Sequence, residues 1–293
     1  MAPSRFERDT AVVPRGDGRY VVKVDAGWNI YLGPNGGYVA ALAARALCAE
    51  VDAASAGREP REPREPRQLR SFSAHFLSPP QVGEMDAEVV IERTGGSVSI
   101  ASVVLGQEGS TRVIARASFA ASRTGIDLDH SRPPDVPPPE DLPPLDAYIP
   151  PGFRDRYDRR WAIGPMPHSL ADVAVAGGWI RPARTDAGSS PTPLDAPLVV
   201  AYSDCWFPAV YAMAPPSTKV YTVDLSVHLV APLPSAYDDW VLVEFQSIQA
   251  ADGLVVEDGR IWSRSGNLLA TSRQLAVVRS TTSPDEHREP PPR

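Results

Sequence analysis

The chain has 293 residues, 43% of them hydrophobic, which is enough apolar material for two cores of ordinary domain size. A formal charge of -7 and a pI near 5.3 argue against a nucleic-acid partner. No apolar run approaches the roughly 18 residues of a membrane span, and the opening MAPSRFERDTAVV lacks the apolar stretch of a secretory leader.

In chain order, Tyr20 to Ala26 (YVVKVDA) reads as a strand bounded by Gly18 and Gly27. Gly33 to Gly37 (GPNGG) makes a tight turn. Val39, Leu42 and Ala46, flanked by Ala43 and Leu47, then recur at helical spacing. So many small residues suit a core helix gripped by a curved sheet. Gly36 and Gly37 have two open readings: a plain helix start, or bare N–H groups aimed at a ligand oxygen. Arg58 to Arg67 repeats REP, which forbids helix and predicts a solvated loop. Four strand-like runs follow: Leu69 to Leu77, Asp86 to Arg93, Ser97 to Leu105 and Thr111 to Ala120. Glycine-containing turns join the last three, at Thr94-Gly95-Gly96 and Gln107-Glu108-Gly109. A helix followed by a strand meander is an α+β unit.

Ser122 to Pro151 is dense in proline and acid and reads as a semi-rigid connector. Beyond it, Tyr157 to Ile163 and Gly178 to Arg181 are strand candidates, and TDAGSS at Thr185 to Ser190 is a loop. Leu198 to Ala214 is expected to be the second central helix, kinked or ended by Pro208. Four strands follow: Lys219 to Val230, Trp240 to Ala250, Leu254 to Arg264 and Asn267 to Arg279. The tail from Ser280 is expected to be disordered.

The two halves repeat each other. LRSFSAHFLSPP at Leu69 to Pro80 runs in step with VYTVDLSVHLVAP at Val220 to Pro232. His75 then falls on His228, Ser73 on Ser226, Phe76 on Leu229 and Pro79 on Pro232. The period is about half the chain, which predicts a tandem duplication. The expected units are 1–122 and 152–280, with a linker at 123–151 and a tail at 281–293.

Cys48 and Cys205 and five scattered histidines offer no metal-ligand spacing. Neither a metal nor a redox cofactor is therefore expected, and the cysteines read as reduced thiols of a cytoplasmic protein. Cys205 reads as a small buried hydrophobe, since no histidine lies nearby in sequence to activate it. His75 and His228, at equivalent repeat positions, read as structural.

From about Gly27 to Arg279 the chain resembles the acyl-CoA thioesterase II family and its thioesterase-like relatives. Three stretches carry the resemblance: AYSDCWFPAV (Ala201 to Val210), Tyr221 to Pro232, and LATSRQLAVVR (Leu269 to Arg279). It implies a tandem (double) hot-dog fold, each unit an antiparallel sheet wrapped around a central helix. It also implies hydrolysis of an acyl-CoA thioester, with the family's Asp/Thr/Gln set falling on Asp204, Thr222 and Gln274. The sequence departs from the family pattern at Leu225, Leu275 and the PNGGY helix start, which bears mainly on the substrate.

Asp204 could accept a proton from water, while Thr222 and Gln274 each donate and accept. Gly36 and Gly37 would hold the oxyanion, and Trp206 and Phe207 would line an acyl tunnel. Two alternatives stay open. One is a secondary-metabolism enzyme acting on a carrier-protein thioester, as thioesterase or dehydratase. The other is a non-catalytic acyl-CoA-binding protein. Exposed sheet faces leave room for a homo-oligomer.

Overall fold

The computed structural model of the chain describes residues 2–56, 66–147, 149–183, 190–230, 232–233 and 240–280. The REP loop (apart from its last two residues), all but the last residue of TDAGSS, and the tail from 281 lie outside the described residues. The first half contains α1 (Arg5–Asp9), β1 (Val12–Gly16), β2 (Arg19–Val24), the short β3 (Asn29–Ile30) and β4 (Gly33–Pro34), α2 (Gly36–Ala56), β5 (Gln68–Phe76), β6 (Gly83–Thr94), β7 (Val98–Gln107) and β8 (Ser110–Ala120). The second contains α3 (Pro151–Arg154), β9 (Tyr157–Ile163), β10 (Val175–Pro182), α4 (Ala196–Tyr202), β11 (Thr218–Leu229), β12 (Val241–Ala251), β13 (Leu254–Ser263) and β14 (Leu268–Ser280).

Twelve strands form one antiparallel sheet in the order β1-β2-β6-β7-β8-β5-β11-β14-β13-β12-β10-β9. The repeated strands β5 and β11 meet at its centre. There Ser226 lies opposite Ser73, Asp224 opposite His75 and His228 opposite Ser71. Ser73 and Ser226 are repeat equivalents, so the seam between the units is an approximate two-fold. The architecture is the tandem hot-dog α+β fold. The hairpin turns at Glu108-Gly109 and Asp252-Gly253 hold positive φ at both residues. That backbone matches the twist of the flanking strands.

The sheet curls around α2, whose Ala40, Ala41, Ala43, Ala44 and Ala46 are fully buried. Alanine lets the helix backbone sit close to its surroundings without leaving voids. α4 packs beside α2. A Cβ on Gly37 would strike the Ala201 carbonyl oxygen, so only glycine permits this approach. Asp195 caps α4 by accepting from the Leu198 N–H at 2.9 Å, and its other oxygen takes Arg45 of α2 at 2.6 Å.

The second central helix is shorter than the sequence reading predicts. α4 ends at Tyr202, and Pro208 opens a separate 3-10 turn (Ala209–Ala212) instead of kinking a continuous helix. Sequence periodicity also missed α1, stabilised by a Ser4–Glu7 capping box, and β1, which carries Pro14 at the sheet edge. The proline-rich connector lies against the second unit. Trp179 donates to the Pro137 carbonyl at 2.8 Å, and Val136 and Leu142 pack on Trp179, Trp240, Leu242 and Trp262.

Candidate active site

A cavity of about 820 Å³ opens where the start of α2, the chain after α4, and strands β11 and β14 converge. Asp204, Thr222, Gln274, Gly36, Trp206 and Phe207 all line it. Gly37 does not; its amide is turned to Asp204.

Asp204 sits just beyond α4, where the broken helix carries it toward the other unit. Its Oδ2 accepts from the Gly37 N–H at 2.9 Å, and its carbonyl takes the Asn35 side-chain amide at 2.8 Å. Asn35 also caps α2, accepting from the Tyr38 N–H at 3.0 Å. The Gly37 amide is therefore occupied, and of the two glycines only Gly36 has an N–H without an acceptor among the described residues. A Cβ on Gly36 would lie 2.6 Å from Asp204 Oδ2, so the carboxylate needs glycine there. Burial pushes the Asp204 carboxyl up to about 7. The Gly37 hydrogen bond opposes that rise, and the nearby Glu257 carboxylate adds to it.

Thr222 owes its position to a fault in the strand. Between Thr222 and Asp224 the register of β11 against β14 shifts by one residue. Below the bulge Leu225 and Val227 face inward, opposite Gln274 and Ser272. Without it, Thr222 would alternate outward with Ser226 and His228. With it, Thr222 lies opposite Ala276 on the inner face. Its hydroxyl donates to Gln274 Oε1 at 3.1 Å.

The sequence reading missed the residue behind this pair. Glu257 of β13 is 4% exposed and lies opposite Gln274 in the sheet. It accepts from Gln274 Nε2 at 2.8 Å, from the Ala209 N–H at 2.5 Å and from Ser247 Oγ at 3.1 Å. Burial raises its carboxyl, while these three donors pull it back toward the ionised form. Strand alternation could have flagged it. Val255, Glu257 and Ile261 share the inward parity, and a glutamate among them stands out.

The other residues singled out from the sequence are placed as follows. Trp206 and Phe207 lean on Trp161 with ring centroids 5.7 and 5.9 Å apart. The Cys205 thiol is buried and donates to the Tyr202 carbonyl at 3.0 Å, and burial pushes its pKa up, which suits packing. His75 and His228 are exposed at the seam and do not line the cavity. Among the described residues, no cluster of three potential metal ligands occurs and no helix is long and apolar enough to cross a membrane.

Two family models divide the chain between them. The acyl-CoA thioesterase N-terminal domain matches residues 24–120, and the C-terminal domain matches 132–278. The chain belongs to the acyl-CoA thioesterase family. Acyl-coenzyme A thioesterase 8 of Rattus norvegicus is 28% identical over 212 residues, which is 64% of this chain and 65% of that protein. The human protein of the same name is 27% identical over the same length. The match thus spans just under two thirds of these relatives. A hot-dog protein of unknown function from Alicyclobacillus acidocaldarius superposes with a TM-score of 0.82 at 25% identity, covering 95% of this chain and 99% of the other. An acyl-CoA thioesterase II from Mycobacterium marinum shares the fold, with a TM-score of 0.70 at 22% identity over 94% and 99% of the two chains.

Proposed function

We propose that this thioesterase-family chain hydrolyses an acyl-CoA to free acid and CoA, using a water held by Asp204, Thr222 and Gln274. The observation that carries this reading is the directed chain of hydrogen bonds from Thr222 through Gln274 to Glu257. The Ala209 backbone N–H and the Ser247 hydroxyl also donate to Glu257 and keep it an acceptor, so Gln274 must present its NH₂ to it. The Gln274 oxygen then faces Thr222 and takes its hydroxyl proton. Thr222 is left with lone pairs toward the cavity and can only accept from a water. Asp204 accepts the second proton of that water and serves as general base, with a pKa near the working pH. The water attacks the thioester carbon directly; the tetrahedral intermediate then collapses, the C–S bond breaks, and the CoA thiolate leaves with the proton held by Asp204. The Gly36 N–H, at the positive end of α2, stabilises the oxyanion that develops.

At the rim, Lys219 and Arg279 are register partners on β11 and β14, and both line the cavity. We assign them the phosphates of CoA. Cys48 and Cys205 are free thiols, which fits a cytoplasmic site of action. Val90, Val104 and Ile114 stay exposed on the outer sheet face, where a homo-oligomer would form.

The test is thiol release from a panel of acyl-CoAs, wild type beside Asp204→Ala. A fall in kcat/KM of at least about a hundredfold, with the variant still folded, supports the reading. Equal activity removes Asp204 from the mechanism. No thiol release by wild type from any CoA ester turns the assay to carrier-bound acyl groups and to plain binding.

A further inference from the structure

One buried charge in the cavity wall has no part in the water-holding machinery. Arg159, on β9, is 3% exposed and lines the same cavity. Its guanidinium carbon lies 4.6 Å from the Phe153 ring centroid and 4.8 Å from that of Tyr157. These faces fix the plane of the group and leave its edge for hydrogen bonds. Among the described residues Nη1 reaches only the Tyr157 carbonyl, at a long 3.4 Å. Nη2 is buried with no acceptor, and Arg159 makes no ion pair among the described residues. Burial draws its pKa down to about 10, which leaves it cationic at neutral pH. Two more buried donors are unmet among the described residues: the hydroxyl of Tyr157, whose ring the guanidinium covers, and the indole N–H of Trp206, elsewhere in the cavity wall.

A buried cation with no counter-ion is strongly unfavourable unless something that enters the site completes it. CoA phosphates belong at the solvent-facing rim with Lys219 and Arg279. The group that reaches Arg159 is then part of the acyl chain.

We propose that the acyl group this cavity accepts bears a carboxylate remote from the thioester, an ω-carboxyacyl chain, and that Arg159 is the specificity-determining residue that receives it. Arg159 offers a planar pair of donors that matches a carboxylate edge to edge. A plain alkyl chain would leave both unmet, and a site with unmet buried donors rejects such a chain.

This inference rests on the thioesterase reading, so the experiment separates the two. Wild type, Arg159→Met and Arg159→Lys are assayed for thiol release from chain-matched pairs, adipoyl-CoA against hexanoyl-CoA and suberoyl-CoA against octanoyl-CoA. In parallel, thermal stabilisation of each protein by free suberate and by octanoate is measured. The expected result is a wild-type preference for the carboxylated esters. Arg159→Met should lower kcat/KM for those esters by on the order of 10²-fold and leave the alkyl esters unchanged or improved. Arg159→Lys should retain part of the preference, and suberate should stabilise wild type but not Arg159→Met.

Thiol release without preference for the carboxylated ester overturns the proposal and leaves the thioesterase reading standing. No thiol release, with stabilisation by suberate that depends on Arg159, overturns hydrolysis and keeps the carboxylate site. If Arg159→Met does not fold, the wild-type preference and Arg159→Lys decide.

Discussion

The two units share one fold but not one set of polar residues. The repeat that places Ser73 on Ser226 also places Leu69 on Thr222. Through the strand registers it places Ala117 on Gln274 and Ala101 on Glu257. The register fault is duplicated too, falling between Leu69 and Ser71 in the first unit and between Thr222 and Asp224 in the second. The first unit therefore turns a leucine inward, 3% exposed, where the second turns in a threonine. The helices diverge in the same sense. α2 runs unbroken for 21 residues, whereas α4 stops after 7 and releases Asp204 into the cavity. The bulge is a property of the duplicated backbone, and the proposed chemistry depends on which side chain occupies it. One unit contributes an uninterrupted helix with its open N-terminus. The other breaks its helix to supply the carboxylate.

The largest expected effect comes from removing what only the second unit has. Asp204→Ala is expected to lose at least about a hundredfold in kcat/KM. In wild type, kcat/KM should fall as pH drops through about 7, because the base must be ionised to act. A pH profile flat from about 5 to 8 would detach Asp204 from that step.

Stability should move the other way. The pKa of Asp204 is raised on folding, so the folded state holds its proton more tightly than the unfolded chain does. Ionising it therefore costs stability above about pH 7, and the cost fades as pH falls toward the ordinary carboxyl range near 4. Asp204→Asn is accordingly expected to stabilise the protein by about 1–3 kcal/mol near pH 8 and by almost nothing near pH 4. Urea unfolding at the two pH values measures this, and a gain that does not change with pH contradicts it.

The hydrogen-bonded relay comes next. Glu257→Gln frees Gln274 to present either end of its amide to Thr222, so the threonine lone pair is no longer fixed. A fall in kcat of roughly 10- to 100-fold with KM little changed is expected, as for a positioning residue. A rise in KM alone would place Glu257 in binding instead. Thr222→Val keeps the shape and deletes the acceptor, which makes the second unit chemically like the first at that site. It should cost about tenfold or more in kcat, with little loss of stability.

How much of this was legible beforehand depended on which interaction carried the signal. Strand and helix periods, together with the repeat, disclosed a duplicated α+β unit, because alternation and helical spacing are local, and the family resemblance supplied the hot-dog arrangement. The length of α4 was not legible. Apolar residues continue through Trp206 and Phe207, and nothing local shows that they turn into a cavity. Thr222 was found by resemblance and not by pattern, since alternation alone puts it on the outer face and the bulge that reverses it leaves no mark in the sequence. Glu257 was open to view on an inward position but lay outside the resemblance. Arg159 is clearest only in three dimensions, where its missing partner can be seen.

The smallest expected effect on activity is also the one that tests the comparison most directly. Leu69→Thr gives the first unit the residue the second has at the bulge. Phe119 lies opposite it, and the positions equivalent to Gln274 and Glu257 are Ala117 and Ala101, so no glutamine or glutamate takes the hydroxyl proton. The threonine would bury a polar group that lacks a side-chain partner and would leave a void where the leucine packed. A stability loss of about 2–3 kcal/mol is expected, with kcat and KM unchanged at temperatures where the variant stays folded. If thermal unfolding shifts down and turnover is untouched, the first unit serves the chemistry only through the start of α2. If turnover falls with it, the first unit's strands also bear on the site, and the division of labour drawn above is wrong.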